Sequence, residues 1–189
     1  HPSVMERMNH MMEEKSRIAK KAAGMINDGD RVMILAGTTS SLMAKYLYDK
    51  RDINIVTNST FLLNYTRNMP NLKVSLVGGE FQPEAEAMVG AIALRELERF
   101  YVKLSFIGTD GFSIAQGITA NSTETAEVAK EVIARSEISV LVADSSKYNK
   151  SGFSLIQSLD KINTIITDNN LSDRGMAELT KIGINVLTV

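Results

Sequence analysis

Hydrophobic and polar positions alternate along the chain in a repeated order of strand, polar turn and helix. Short apolar runs rich in branched residues predict buried strands, and longer segments with apolar residues three or four positions apart predict helices. The predicted strands cover residues 31–36, 53–56, 73–77, 103–107, 137–143, 162–167 and 184–189. The predicted helices cover residues 5–26, 60–68, 87–100 and 172–181, and two more begin at Ser41 and after Ser122. This alternation predicts an α/β protein with a mostly parallel sheet and helices on both faces.

The length and composition fit one domain. The 189 residues are 44% apolar, which is enough for a sizeable buried core. No low-complexity linker and no repeat of fixed period divides the chain, so we expect a single domain over residues 1–189. The formal charge is −1, from 21 basic and 22 acidic side chains, and such a domain has no net positive field to hold DNA.

Several classes of site are not expected. The chain has no cysteine, and its two histidines, His1 and His10, both lie near the start, so we expect neither a metal site nor a cofactor. No run of about 18 apolar residues is present, and the first residues lack the layout of a signal peptide. The sequence therefore predicts a cytoplasmic protein that does not bind membranes.

Small polar residues follow five of the predicted strands. These segments are Gly37-Thr38-Thr39-Ser40, Thr57-Asn58-Ser59, Gly78-Gly79, Gly108-Thr109-Asp110-Gly111 and Asp144-Ser145-Ser146-Lys147. Ligands of open parallel sheets bind at the carboxyl ends of the strands, so we expect these segments to meet around one site. Glycines let the backbone approach a ligand closely, and hydroxyls and helix N-terminal N–H groups bind anions. Together they indicate a phosphate group.

Charged residues in the same segments are candidates for contact with the rest of the ligand. Lys147 follows a predicted strand and can act as a point charge toward phosphate or a sugar hydroxyl. Asp110, Asp144 and Glu124 can accept hydrogen bonds from sugar hydroxyls. Each also has an ordinary explanation, as a solvated lysine or as a carboxylate that caps a turn, and any single glycine-threonine turn is compatible with simple helix capping.

Nucleotide-binding motifs are not found at these strand ends. The chain lacks G-x-x-x-x-G-K-[ST], and no G-x-G-x-x-G follows a predicted strand. A smaller anionic ligand than a nucleotide or dinucleotide is therefore the better match.

The polar segments, in this order, resemble the C-terminal domain of DeoR-type bacterial transcription regulators. The resemblance extends over nearly the whole chain, and it also includes Glu14-Lys15, Ile18-Ala19, Gly29-Asp30, Gly90, Gly117 and Ile166-Thr167-Asp168. It implies a sugar-phosphate-isomerase-like fold, of the ribose-5-phosphate isomerase or NagB type, that senses a phosphorylated sugar. It also implies a repressor that binds operator DNA through a winged helix-turn-helix domain outside residues 1–189, and a homodimer or homotetramer.

Two positions depart from the family pattern. Leu35 stands where the family often has an acidic residue before the glycine-threonine turn, which puts in doubt which sugar hydroxyls are recognised. Thr125 stands where a second glutamate often follows the one at Glu124, so the role of Glu124 is open.

These observations predict a ligand site and no catalytic residue. The predicted ligand-binding residues are Gly37, Thr38, Thr39, Ser40, Thr57, Asn58, Ser59, Gly78, Gly79, Gly108, Asp110, Gly111, Glu124 and Lys147. We expect residues 37–40 to hold the phosphate and Asn58, Gly79, Asp110 and Lys147 to contact the sugar. Two alternatives remain, an isomerase-like enzyme and an oligomerisation domain without a ligand. The glycine-rich stretch with glutamate and lysine that isomerases of this fold carry is not recognisable.

Overall fold

The computed structural model describes residues 4–189, with the side chain of Met5 left out; His1 and Pro2 therefore lie outside the described residues. The strands, in chain order, are β1 (Arg31–Ile34), β2 (Ile53–Thr57), β3 (Leu72–Leu76), β4 (Glu80–Gln82), β5 (Ala87–Val89), β6 (Val102–Ile107), β7 (Gly111–Ser113), β8 (Gly117–Ala120), β9 (Ser136–Val142), β10 (Ser154–Gln157), β11 (Thr164–Thr167) and β12 (Asn185–Thr188). The α-helices are α1 (Val4–Asn9), α2 (Met12–Ala23), α3 (Thr38–Leu42), α4 (Leu63–Thr66), α5 (Gly90–Leu97), α6 (Thr123–Ala134) and α7 (Asp173–Lys181). Three 3₁₀ turns cover Met43–Tyr46, Ser145–Lys147 and Leu159–Lys161.

A seven-stranded sheet forms the centre of the fold, in the order β12-β11-β9-β6-β1-β2-β3, and every neighbouring pair in it is parallel. The chain starts at β1, adds β2 and β3 on one side, and then adds β6, β9, β11 and β12 on the other. The order therefore reverses between β1 and β6, and the crevice at such a reversal is where doubly wound sheets bind ligands.

Alternate side chains of the strands pack into two separate cores. Met33, Leu141 and Ile165 point to the face covered by α5, α6 and α7. Val32 and Ile34 point to the face covered by the helices α1 to α4. Both faces are covered, which explains why the strands are almost continuously apolar. The predicted α/β class, with helices on both faces of a parallel sheet, is confirmed.

The predicted single helix over residues 5–26 is wrong, because the structure breaks it into α1 and α2. Met11 has a left-handed backbone with φ 54°, which stops a helix. The Lys15 ammonium folds back onto the carbonyl oxygens of Arg7 and His10, which places α1 across the start of α2. Methionines at helical spacing on both sides of the break concealed it from the sequence pattern.

Several other predicted helix bounds are wrong. Ala87–Val89 is a strand, because it pairs with Glu80–Gln82 in an antiparallel hairpin, and the helix starts only at Gly90. The helix after Gly37 begins at Thr38 rather than at Ser41. The helix predicted over residues 60–68 is only α4, one turn long.

A second small sheet, in the order β10-β8-β7, was not predicted. Its strands are three or four residues long and are separated by turns, so they carry little periodic signal. This sheet places Asp110 and α6 beside the end of β6. Among residues 4–189, no helix is both long and apolar enough to cross a membrane.

Candidate functional site

The loops after β1 and β6 meet at the reversal of strand order. A Cβ atom on Gly37 would lie 3.9 Å from the Cα atom of Gly108 and only 2.7 Å from the Ser40 hydroxyl oxygen. A Cβ on Gly108 would meet the same hydroxyl at 4.0 Å. Glycine at both positions leaves the two backbones close together and leaves room beside them. The sequence-predicted meeting of these two loops is therefore observed.

The residues at the start of α3 differ in what their side chains can offer a ligand. The Ser40 hydroxyl is fully buried and donates to the Leu35 carbonyl oxygen at 2.7 Å, so it fixes the turn. Thr38 and Thr39 are 9% and 6% exposed. Among residues 4–189, neither threonine hydroxyl has a hydrogen-bond partner. The first N–H groups of a helix also have no partner within the helix. This turn therefore supplies hydroxyl and amide donors at one point.

The segment after β2 makes hydrogen bonds that support the turn between β1 and α3. The Asn58 side chain accepts from the Ala36 N–H at 2.8 Å and donates to the Met88 carbonyl oxygen at 3.0 Å. Thr57 donates to the Ile34 carbonyl oxygen, and the Ser59 hydroxyl lies 2.9 Å from the Ser41 hydroxyl. Thr57, Asn58 and Ser59 are all buried and engaged with the protein. The structure gives these three predicted residues a supporting position.

Two of the predicted glycines, Gly79 and Gly111, are required by packing. The Gly78 N–H donates to the Glu96 carboxylate at 2.6 Å, and a Cβ on Gly79 would lie 2.5 Å from the Val89 carbonyl oxygen. Both sit after β3, at the edge of the sheet and two strands from β1, which is about 10 Å. A Cβ on Gly111 would overlap the carbonyl group of Lys150. The structure does not bring Gly78 and Gly79 to the reversal of strand order.

The carboxylates predicted for the site lie at different depths. Asp110 is partly buried and accepts from the Asn121 N–H at 2.8 Å. Glu124 is exposed at the start of α6, where its own backbone N–H and the Ser122 hydroxyl lower its pKa. Ser122 donates to Glu124 at 2.8 Å and caps α6. The capping contacts in the first turn of α6 therefore account for the position of Glu124.

The segment after β9 brings a buried carboxylate and a lysine to the same edge. Asp144 is 1% exposed and accepts from both the N–H and the hydroxyl of Ser146. Lys147 is partly exposed, and among residues 4–189 its ammonium forms no ion pair. Because β9 neighbours β6, this segment lies two strands, or about 10 Å, from the turn after β1. A small sugar phosphate can bridge that span.

Two further cations, which were not among the predicted ligand-binding residues, approach this edge from the helices before the sheet. Lys15, on α2, is 3% exposed and its ammonium lies 4.0 Å from the Asp144 carboxylate. Arg7, on α1, reaches within 3.9 Å of the Asp110 carboxylate. Both stand on helices with polar surfaces, where a cation is usually solvated. The Glu14-Lys15 pair in the family resemblance was the only signal that marked either residue.

Three cations and several carboxylates meet at this edge. Arg7, Lys15 and Lys147 face the carboxylates of Asp110 and Asp144, and buried Asp168 accepts hydrogen bonds from Ser145 beside them. Burial is the largest influence on Lys15 and lowers its pKa; Asp144 opposes that effect, whereas Lys147 and Arg7 lower the pKa further. An arrangement that disfavours a buried ammonium in this way is stabilised by an added anion. We call Arg7, Lys15 and Lys147 the cation cluster.

Two surface hollows lie elsewhere. One of about 360 Å³ is lined by residues near the amino ends of the strands, including Lys130, Glu137 and Lys161. Another of about 480 Å³ lies between β7 and α7 and is lined by Tyr148, Ser172 and their neighbours. Neither is lined by a predicted ligand residue. Among residues 4–189, no group of three or more His, Cys, Asp or Glu side chains is placed to hold a metal ion.

The family model described as the DeoR C-terminal sensor domain matches residues 10–169 of this chain. This chain belongs to the DeoR sensor family. The regulator YulB of Bacillus subtilis, named as an uncharacterised HTH-type transcriptional regulator, is 33% identical over 176 residues, which are 93% of this chain and 68% of YulB. The Bacillus subtilis HTH-type transcriptional repressor GlcR is 31% identical over 184 residues, or 94% of this chain and 70% of GlcR. A putative aga operon transcriptional repressor of Escherichia coli O157:H7 is 25% identical over all of this chain and 70% of its own length.

Solved structures show that the fold of this DeoR sensor domain is sugar-phosphate-isomerase-like. A D-ribose-5-phosphate isomerase in complex with phospho-erythronic acid superposes with a TM-score of 0.53 at 15% identity, over 72% of this chain and 54% of that one. The eIF2B beta subunit of Chaetomium thermophilum superposes with a TM-score of 0.55 at 14% identity, over 94% of this chain and 55% of that one. The chain thus spans about two thirds of its curated relatives and about half of these solved structures.

Proposed function

We propose that this DeoR sensor domain binds a phosphorylated sugar and that binding changes the operator affinity of the regulator to which it belongs. The observation that carries the proposal is that the cation cluster faces Asp110 and Asp144 after β6 and β9, at the same carboxyl edge of the sheet as the Thr38 and Thr39 hydroxyls. Relatives named as transcriptional repressors, GlcR and the putative aga operon repressor among them, are consistent with a repressor. An isomerase with this fold binds phospho-erythronic acid, a phosphorylated sugar acid, which supports a phosphate group.

The geometry favours a division of the site into two parts. The phosphate is placed at the start of α3, where amides, the Thr38 and Thr39 hydroxyls and the nearby Lys15 ammonium supply donors. The sugar extends toward Asp110, Asp144 and Lys147, which offer carboxylate acceptors and one mobile cation.

Asn58 and Gly79, which the sequence analysis placed against the sugar, take a supporting role in this arrangement. The amide of Asn58 is already engaged on both sides, and Gly79 packs against Val89. We also propose that a helix-turn-helix module outside residues 1–189 binds the operator, as the names of the relatives indicate for them. A homodimer or homotetramer stays a prediction.

The proposal is tested by a thermal-shift screen with ribose 5-phosphate, glucose 6-phosphate, fructose 6-phosphate and the same sugars without phosphate. A true effector raises the melting temperature by mass action. At least one phosphorylated compound is expected to do so, and its unphosphorylated parent is not. A flat response to the whole panel contradicts the proposal and favours a purely structural domain.

Variants then locate the site. Thr38→Val removes one hydroxyl with little change of shape, and Lys147→Met removes a partly exposed cation. Each is expected to weaken binding of the stabilising sugar phosphate about tenfold, since a hydrogen bond to a charged group contributes about 1.5 kcal/mol. Lys150→Met, an exposed neighbour, serves as the control and should bind normally. Full affinity in both Thr38→Val and Lys147→Met would contradict this placement.

We propose a sensor rather than an enzyme. The curated relatives are named as transcriptional regulators. The isomerase in complex with phospho-erythronic acid is only 15% identical to this chain, and that similarity shows the fold alone. Incubation of the domain with ribose 5-phosphate should yield no ribulose 5-phosphate. Turnover at ordinary enzymatic rates would instead support the isomerase alternative.

The affinity for a sugar phosphate should depend on pH in a way that identifies Lys15. Burial lowers the pKa of Lys15, and Lys147 and Arg7 lower it further against Asp144 and Glu14. A bound phosphate favours the ammonium, so its contribution is complete below the lowered pKa and is lost as the pH rises through it. On the acidic side, affinity falls as the phosphate itself is protonated near a pKa of about 6.

Calorimetric titration across about pH 5 to 10 measures this profile, with the acidic limit set by the phosphate. Lys15→Arg is the matched variant, because a guanidinium stays charged throughout that range. Its affinity should fall at a higher pH than that of the unchanged protein. If the two proteins lose affinity at the same alkaline pH, Lys15 is not the group whose titration weakens binding.

A further inference from the structure

The groups proposed to hold the phosphate are covered by protein. Thr38, Thr39, Lys15 and Asp144 are 9%, 6%, 3% and 1% exposed. Part of this cover is α1, which packs across α3 and contributes Val4 and Met8 to the same core. A sugar phosphate cannot reach these groups unless some part of the cover moves.

Among the described elements around these groups, α1 is the best candidate to move. It has six residues, too few to be stable as an isolated helix. Among its described side chains, Val4 and Met8 pack in the core, and its carbonyl oxygen at Arg7 accepts a hydrogen bond from Lys15 at 2.7 Å. The loops at the ends of β1 and β6, by contrast, are continuous with central strands of the sheet.

The side chain of Arg7 is poorly satisfied in its present position. One terminal nitrogen donates to the Glu84 carbonyl oxygen at 3.1 Å, and the other lies 3.9 Å from Asp110, which is too long for a hydrogen bond. The Nε atom is buried, and within residues 4–189 it has no hydrogen-bond partner. A buried donor without an acceptor is costly, and a guanidinium presents its donors in a fork that matches a phosphate.

We propose that α1 is a movable cover of the effector site and that Arg7 exchanges Asp110 for the anionic group of the effector, which holds α1 in place. This inference rests on the proposed function and adds a way in which the occupied site controls the position of α1. Asp110 competes with the effector for Arg7, and binding supplies acceptors to donors that now lack them. The position of α1 then depends on occupancy of the site, which gives any module joined before residue 4 a direct connection to the effector.

The exchange of partners is tested with a double-mutant cycle, using inorganic phosphate as the probe so that contacts of Asp110 with sugar hydroxyls do not interfere. Arg7→Met is expected to weaken phosphate binding about tenfold, the effect of one charge-assisted hydrogen bond. Asp110→Asn, which keeps an acceptor for the Asn121 N–H, should strengthen it several-fold. The double variant should bind like Arg7→Met alone. Arg17→Met, an exposed arginine on α2, is the matched control and should bind normally.

Hydrogen exchange of the α1 amides gives an independent readout. Bound phosphate or ribose 5-phosphate should slow exchange in the unchanged protein and leave it unaltered in Arg7→Met. Normal phosphate binding by Arg7→Met, or a full gain from Asp110→Asn in the absence of Arg7, would overturn the role of Arg7. Binding without any change in α1 exchange would overturn its role as a cover. If the unchanged protein binds neither probe, the proposed function itself fails.

Discussion

Gly111→Ala is expected to destabilise the fold by about 3 kcal/mol, whereas Gly108→Ala, three residues earlier, should fold almost normally. A Cβ on Gly111 would overlap the backbone of Lys150 and Ser151, which cannot give way without moving the small sheet. A Cβ on Gly108 would meet only the Ser40 hydroxyl, at 4.0 Å, which is ordinary contact. Urea denaturation of the two variants measures the difference.

Effector binding should be weakened by Gly108→Ala and not by Gly111→Ala, which is the reverse of their effects on stability. The methyl group of Gly108→Ala would occupy the space beside the turn after β1, so this variant should lose roughly tenfold in affinity for whichever sugar phosphate stabilises the protein. The folded fraction of Gly111→Ala should bind that compound normally at low temperature. Equal stability of the two variants would show that packing does not explain Gly111, and normal binding by Gly108→Ala would place the ligand elsewhere.

Lys15→Met is expected to reduce affinity for the same sugar phosphate about 100-fold, the largest loss predicted for a single side chain. The ammonium is 3% exposed, so its hydrogen bond to a phosphate is shielded from water and falls at the upper end of charge-assisted bonds, about 3 kcal/mol. Calorimetric titration of the variant measures the loss directly.

Two controls separate this effect from general damage to the fold. Lys20→Met removes the same charge from the exposed side of α2 and should bind normally. Lys15→Arg retains the cation and should recover part of the affinity, and circular dichroism establishes that each variant is folded. Similar losses in Lys20→Met and Lys15→Met would indicate a long-range charge effect instead of a contact.

The sheet and the meeting of its loops could be predicted because they follow from strong local patterns. Seven apolar runs separated by helices specify a parallel sheet, and the carboxyl ends of such strands share one edge. The glycine-threonine turn after β1 and the loop after β6 were placed correctly for that reason. The sequence could not show which polar residues are available to a ligand and which only support the turn, because Thr38 and Thr57 look alike until their hydrogen bonds are seen.

The cation cluster also could not be predicted from the sequence pattern. Arg7 and Lys15 lie on polar-rich helices, and their approach to Asp110 and Asp144 depends on the left-handed turn at Met11. Methionine rarely adopts a left-handed backbone, so no local sequence preference predicts the turn at Met11. Likewise, Gly108 and Gly111 belong to one short loop, and only the course of the distant Lys150 backbone assigns them different roles.

The pairing of β1 with β6 joins segments about seventy positions apart, and the neighbouring strand that leads to Lys147 comes later still. Contacts between such distant segments form slowly, after long stretches of chain have been brought together. On the ribosome, therefore, a growing polypeptide has no working sensor until nearly four fifths of this region has been synthesised. The proposed effector should therefore not bind to the nascent chain during that interval.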